Sequence, residues 1–308
     1  MMAVQRDPNR WRLADLLAGF AAVPPEADRA VAGLQLDSRR LRPGDLFLAC
    51  SGTRCHGERY LEHALEAGAA AVARESDGAA GAAIEYREHQ GRSVPVIPVP
   101  GLGRRAGPIA ARFFHDPSRA LHTIGVTGTN GKTSVSQFAA RGLAAGGRPA
   151  GVIGSLGAGL VDGLRDLGHT TPDPVRLQEE LAGFRDAGAA WAVMEVSSHA
   201  LDQDRVGGVV FDTAVFTNIG RDHLDYHGDL DAYAAAKRRL LDWPELGRAV
   251  LNLDDPVLRR WWQETDREVW GYSLRPPEPA DAGRAVFYGE DLRLDHLLSK
   301  ERYKPCLF

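Results

Sequence analysis

"GVTGTNGKTSV", residues 125–135, reads as an apolar strand that breaks into a glycine-rich turn and restarts as a helix at Lys132, Thr133 and Ser134. Gly128 and Gly131 permit backbone angles that a β-carbon would forbid. They let several N–H groups point inward at phosphate oxygens beside a helix N-terminus. Lys132 supplies a point charge for the outer phosphates, and Thr133 a hydroxyl for Mg²⁺. The strict G-x-x-x-x-G-K-[ST] pattern is not met, because Val126 stands where its first glycine belongs. The stretch is therefore a variant phosphate loop, and Asn130 within it has no role that spacing assigns.

Working outward, apolar strands alternate with helical runs from residue 121 onward. Strands are expected at 121–127, 149–154, 190–196, 212–217, 248–253 and 267–272, and helices at 132–145, 174–188 and 231–242. That alternation implies an α/β fold with a mostly parallel sheet. In such sheets ligands sit at the C-terminal strand ends. Upstream, residues 11–22 read as an amphipathic helix stopped by Pro24-Pro25. Leu34 and Leu36, then Leu46 and Leu48, read as two strands around Pro43-Gly44-Asp45. Residues 58–69 read as a helix with a stop at Gly68, "AAAVARE" (69–75) as a strand and 102–115 as a helix. Residues 76–92 carry no pattern, and "SVPVIPVPGL" reads as β-type sequence broken by prolines. A domain boundary near residue 100 follows, dividing 1–100 from 101–308.

The 308 residues suffice for one large α/β domain or for two domains of common size, and the formal net charge of −4 does not suggest a nucleic-acid-binding face. No stretch is long and apolar enough for membrane insertion, and the N-terminus lacks a signal-peptide core. Cys50, Cys55 and Cys306 fit no zinc spacing, so a reducing, cytoplasmic setting and a packing role are expected.

"AWAVMEVSSHALDQDRV", residues 190–206, ends an apolar run at Glu195. A carboxylate at a strand tip beside a phosphate loop is placed to hold Mg²⁺. A later strand ends at Thr217-Asn218, and its loop carries Asp222, His223, Asp225 and His227. This density fits a metal or phosphate site, while histidines in polar loops also cap helices; both readings stay open. Spacing alone puts Lys237 on a solvated basic face with Arg238 and Arg239.

Together, "LDSRRLRPGDLF", "TGTNGKT", "HTTPDP", "MEVSSHALDQDRV" and "FTNIGRDHLDYHGDLDAYAAAKRRLL" resemble the Mur ligase family, in particular members that add the third amino acid of the peptidoglycan stem peptide. The resemblance runs from about residue 34 to about 256. It implies a small N-terminal uridine-binding α/β domain and an incomplete P-loop-type central domain, with the C-terminal ligase domain absent. It implies ATP-dependent amide-bond formation through an acyl phosphate, with ATP and Mg²⁺ required. The partners implied are UDP-N-acetylmuramoyl-L-alanyl-D-glutamate and an amino acid, meso-diaminopimelate being the prior choice. Leu36, Ser38, Thr53, Arg54 and Cys55 would contact the uridine end. Gly128, Thr129, Asn130, Gly131, Lys132, Thr133 and Ser134 would hold ATP. Thr170, Thr171, Ser197, Gln203 and Arg205 would hold the muramoyl peptide. Thr133, Glu195, His223 and a carbamylated Lys237 would be metal ligands, and Lys132, Lys237 and His223 the catalytic residues. His169 departs from the asparagine common before the two threonines, and residues 53–55 differ from the usual polar loop. The alternative is an inactive fragment that only binds UDP-sugar and nucleotide. A folate-type ligase is disfavoured by the uridine-type N-terminal blocks.

Overall fold

The computed structural model describes residues 11–51, 57–78 and 83–289. Thr53, Arg54, Cys55 and Cys306 lie outside the described residues. The chain forms two compact units. One runs to Pro117 and takes in Pro172–Ala182 and Gln203–Val209. The other comprises Ser118–Thr171, Gly183–Asp202 and the chain from Val210 onward.

In chain order the first unit holds β1 (Trp11–Arg12), α1 (Leu13–Leu16), β2 (Ala30–Val31), β3 (Gly33–Gln35), β4 (Asp45–Ala49), α2 (Leu61–Glu66), β5 (Ala71–Ser76), β6 (Glu85–His89), β7 (Arg92–Pro100) and α3 (Leu102–Phe113). Its main sheet has the order β3-β4-β5-β7-β6, parallel except for β6. Period-two alternation puts Leu46 and Leu48 in one core with Ile97, Val99, Leu102 and Ile109. It puts Phe47 in a second core with Leu61, Leu65, Val72 and Val96. Both faces are covered, as a largely parallel sheet requires.

Two expectations for this unit need correction. The helix expected over 11–22 shrinks to Leu13–Leu16, because Trp11–Arg12 pairs with Ala30–Val31 and Asp28 Oδ1 accepts the Ala14 amide at 3.0 Å. Tertiary pairing outweighs local periodicity here. The prolines of 92–100 do not break the strand. β7 runs for nine residues between β5 and β6, and buried Val94, Val96, Ile97 and Val99 hold it in place. Proline's fixed φ is compatible with extended backbone, so each one costs a ladder donor rather than the strand.

The second unit holds β8 (His122–Thr127), α4 (Lys132–Ala145), β9 (Ala150–Gly154), β10 (Gly157–Leu160), the end of α5 (Pro174–Asp186), β11 (Trp191–Glu195), α6 (Ser198–Asp202), β12 (Thr213–Phe216), α7 (Leu224–His227), α8 (Leu230–Leu241), β13 (Arg248–Asn252), α9 (Pro256–Glu264), β14 (Val269–Ser273) and β15 (Val286–Tyr288). The sheet order is β10-β9-β11-β8-β12-β13-β14-β15, and only the β9–β10 pair is antiparallel. Val126, Val152 and Val193 face Ala140 of α4. On the opposite face, Phe216 meets Trp261 of α9 edge-on at 5.9 Å.

This order decides where chemistry can happen. β8 lies between β11 and β12, so the chain leaves its C-terminal end at a point where connections diverge to either side. The crevice at such a switch point is where α/β sheets bind ligands. The loops after β8, β11 and β12 carry the Gly128–Gly131 turn, Val196–Ser197 and Thr217–His223.

Asp255 braces that region. Oδ1 caps α9 by accepting from Val257 N at 2.9 Å and Leu258 N at 3.0 Å, while Oδ2 accepts from Ile219 N at 2.9 Å. Asp255→Ala orphans three amide donors and is expected to cost about 2 kcal/mol. Urea unfolding checks this, and Asp255→Asn should recover at least half of the loss. Among the described residues, no helix is long and apolar enough to cross a membrane.

Candidate active site

The glycine-rich turn is held in shape by its neighbour strand. Gly128 has φ +144° and Gly131 has φ +84°, the latter directly preceding α4. After β12, Asn218 grips the turn. Its Oδ1 accepts from Asn130 N at 3.0 Å, its Nδ2 donates to Asn130 O at 3.0 Å, and its carbonyl accepts from Thr129 N at 2.8 Å. Thr217 Oγ1 donates to Asn130 O at 2.6 Å. Asn130 thus serves as the handle by which the β12 loop fixes the turn.

Two lysines converge on one carbonyl. Lys132 Nζ donates to Gly128 O and Thr129 O, each at 2.9 Å. Lys237 Nζ, from α8, donates to the same Gly128 O at 2.8 Å. Burial lowers the pKa of Lys132, with Glu195 and Asp222 opposing. Burial, then the charge of Lys132, pushes Lys237 down to about 7, with Asp222 opposing. Lys237 is only 1% exposed, so the solvated basic face expected from spacing alone is corrected. The residue turns inward because Tyr233, one helical turn earlier, puts its ring 4.7 Å from Nζ. Tyr233 also ties α8 to the turn through Oη, 3.0 Å from Thr129 Oγ1.

Glu195, buried at the tip of β11, is the hub of the opposite wall. Oε2 accepts from Thr133 Oγ1 at 3.0 Å and from Ser155 Oγ at 3.3 Å, while Oε1 accepts from Ser155 N at 2.9 Å. Thr171 Oγ1 donates to Glu195 O at 2.9 Å and accepts from Ser197 N at 3.2 Å. Thr170 Oγ1 lies 3.0 Å from Ser155 Oγ. Thr170, Thr171 and Ser197 are therefore gathered around Glu195.

His223 sits just before α7 with φ +52°, its Nε2 3.5 Å from Asp222 Oδ2 and its ring 4.7 Å from that of His199. His227 Nε2 lies 3.0 Å from Ser198 Oγ. Burial first, then His223 and Lys237, lowers the His227 pKa. Among the described residues, no three His, Cys, Asp or Glu side chains gather into a metal cage. Thr127 Oγ1 is buried without a hydrogen-bond partner among them. By strand alternation Thr127 shares the sheet face of Phe216, the face that carries α9 and, through Arg238 over Trp261, α8.

In the first unit, a cavity of about 350 Å³ is lined by Leu36, Cys50, Arg104, Asp173, Gln203 and Arg205, among others. Arg205 Nε and Nη2 donate to Gln203 Oε1 at 2.9 and 2.6 Å. Burial and Glu75 push the Cys50 thiol up to about 12, which removes it as a nucleophile at neutral pH. Ser38 does not line this cavity; it is buried, with Oγ 2.9 Å from His63 Nδ1.

A profile of the Mur ligase middle domain matches residues 126–300, more than half of the chain, and one of the Mur ligase family catalytic domain matches residues 30–114. The chain belongs to the Mur ligase family. It is 50% identical over 264 residues to the UDP-N-acetylmuramoyl-L-alanyl-D-glutamate–2,6-diaminopimelate ligase of Ectopseudomonas mendocina (strain ymp), covering 85% of this chain and 52% of that protein. It is 52% identical over 250 residues to the ligase of the same description from Alkalilimnicola ehrlichii, covering 81% and 50%. A solved structure with that description superposes with a TM-score of 0.72 at 31% identity, covering 90% of this chain and 54% of that one. MurF of Acinetobacter baumannii, at 18% identity and a TM-score of 0.57, shares the fold. The chain spans about half the length of the curated relatives it matches.

Four residues of this Mur ligase site were not assigned a role from sequence. Asn218 and Thr217 end an apolar strand, a position that could have singled them out. Tyr233 lies four residues before Lys237 on one helix face. Ser155 carries no local signal, since its place depends on the β9–β10 hairpin.

Proposed function

We propose that this Mur ligase chain carries the nucleotide-binding and acceptor-binding parts of an ATP-dependent ligase that joins an amino acid, meso-diaminopimelate, to UDP-N-acetylmuramoyl-L-alanyl-D-glutamate in the cytoplasm, for peptidoglycan synthesis. The observation that carries this reading is the Thr133–Glu195 pair facing the two-lysine turn at the sheet's switch point. Phosphorylation of the acceptor carboxylate turns a poor leaving group into a good one. The amino group of the incoming residue then attacks the acyl carbon, and phosphate departs. Lys132, already aimed across the turn, would exchange its carbonyl partners for phosphate oxygens and stabilise charge there.

The donor set fits Mg²⁺. Thr133 Oγ1 and Glu195 Oε2 are hard oxygen ligands 3.0 Å apart. With no three-residue cage among the described residues, phosphate oxygens and water would complete the shell. When bound, the ion would neutralise phosphate charge. His223 is a proposed ligand for a second ion. Lys237 fits carbamylation: with a pKa near 7, a large share of its amine is neutral at physiological pH, and only the neutral amine attacks CO₂. The new N–C bond releases one proton to solvent. The orphaned Thr127 hydroxyl on the same sheet face fits a polar group added there.

In the first unit, Leu36, Gln203 and Arg205 are proposed to bind the UDP-sugar peptide, with the Arg205 fork suited to a carboxylate. Ser38, Thr53, Arg54 and Cys55 remain proposed for the uridine end. In the second unit, Thr170, Thr171 and Ser197 are proposed peptide contacts. A coupled phosphate-release assay tests the reading. Release should require ATP, the UDP-dipeptide and meso-diaminopimelate together, and lysine should not replace the last. Tight binding of the UDP-dipeptide without amino-acid-dependent release would reduce the chain to a binding module.

A further inference from the structure

We propose that Ser155 is a positioning residue whose single hydroxyl proton couples the acceptor-peptide site to the nucleotide site. This rests on the ligase reading above. Ser155 and Leu156 form the two-residue turn of the β9–β10 hairpin, with Gly154 paired to Gly157. The turn is pressed against Glu195. A Cβ on Gly154 would fall 2.2 Å from Glu195 Oε1, so only glycine permits the approach. Ser155 then clamps both carboxylate oxygens, its N–H on Oε1 and its hydroxyl on Oε2. The same Oγ lies 3.0 Å from Thr170 Oγ1.

A serine hydroxyl has one proton to donate. With that proton on Glu195 Oε2, Ser155 accepts from Thr170, and the Thr170 proton is committed to the protein. A cation taken up by Thr133 and Glu195 competes for Oε2 and releases the serine proton toward Thr170. Thr170 then accepts from Ser155 and turns its own proton outward, to an acceptor oxygen of the peptide. The change is two hydroxyl rotations, with no bond made or broken. By linkage, each ligand must favour the other to the same degree.

Isothermal titration of the whole chain with Mg²⁺ and a non-hydrolysable ATP analogue, with and without saturating UDP-N-acetylmuramoyl-L-alanyl-D-glutamate, reads the coupling directly. The wild-type chain should bind the analogue roughly five- to tenfold more tightly with the peptide present. Ser155→Ala should bring that ratio to about one. Ser155→Thr, which restores the hydroxyl, should keep it. Ser155→Cys, similar in size but a weak donor, should lose it, and serves in place of alanine if that variant does not fold. Retention of the ratio in Ser155→Ala or Ser155→Cys, or its loss in Ser155→Thr, would overturn the proposal. A wild-type chain that binds both ligands without coupling overturns it and leaves the ligase reading standing. Failure to bind either ligand overturns both.

Discussion

Gly128→Ala is expected to lower affinity for Mg²⁺-nucleotide by roughly 100-fold, about 3 kcal/mol. At φ +144°, an alanine is strained whatever space surrounds it. Space is also lacking: the new Cβ would fall 1.9 Å from Thr217 Oγ1 and 3.1 Å from the backbone N and O of Asn218. Thr217 cannot swing aside freely, because Oγ1 is spent on Asn130 O, the bond that shapes the turn. Any relief therefore moves Gly128 O, on which both lysines converge. Gly142→Ala is the control. That glycine lies inside α4 with nothing within 4 Å of the added carbon, and the change should stabilise the helix by about 0.5–1 kcal/mol and leave binding unchanged. Equal nucleotide affinity in the two variants would remove the turn from the binding site.

Lys237 carries the second large effect, with two readouts. Lys237→Ala is expected to lower turnover by about 10²–10³-fold, since the proposed reaction would lose a buried electrostatic group beside its phosphates. Added acetate or propionate should restore part of it by filling the space with a carboxylate. Wild-type turnover without additive would defeat the carbamate assignment. The stability readout is independent of turnover. The ordinary lysine pKa is 10.5, and in the folded protein it is about 7. Between those values the unfolded chain carries a proton that the folded chain lacks, so folded-state stability rises with pH across that window. The slope contributed is about 1.4 kcal/mol per pH unit. Below about pH 7 the folded state is protonated too, the slope vanishes, and the penalty of a buried ammonium is at its fullest. Urea unfolding of the wild-type chain and Lys237→Met at pH 7, 8 and 9 should show their difference changing with that slope. A constant difference would mean that Lys237 keeps its proton through the window.

The central sheet was largely legible because its strands are short apolar runs with helical spacers, and a buried parallel strand leaves that signature. The start of α4 at Lys132 was legible for a different reason: two glycines mark where the backbone must turn. β6 was missed because "EYREH" is an edge strand with little buried surface and therefore little apolar patterning. β10 was missed because "GAGL" is held by its hairpin partner and not by alternation. The short α1 shows the converse, a helical pattern overruled by pairing between segments far apart in the chain. At the site, residue types at strand ends could be read, but burial could not. Lys237, Arg238 and Arg239 look alike in sequence, and only the packing of α8 against the glycine-rich turn after β8 selects the first. Ser155 shows the same limit, since its role arises from a hairpin that places it beside Glu195.

The most direct test of the account is a titration of the chain with Mg²⁺ and a non-hydrolysable ATP analogue, repeated on Lys132→Ala and Glu195→Gln. One nucleotide should bind per chain, with Lys132→Ala weakening it at least about tenfold and Glu195→Gln removing most of its dependence on Mg²⁺. No binding to the wild-type chain, or binding that neither substitution alters, would contradict the convergence of β8, β11 and β12 on a triphosphate.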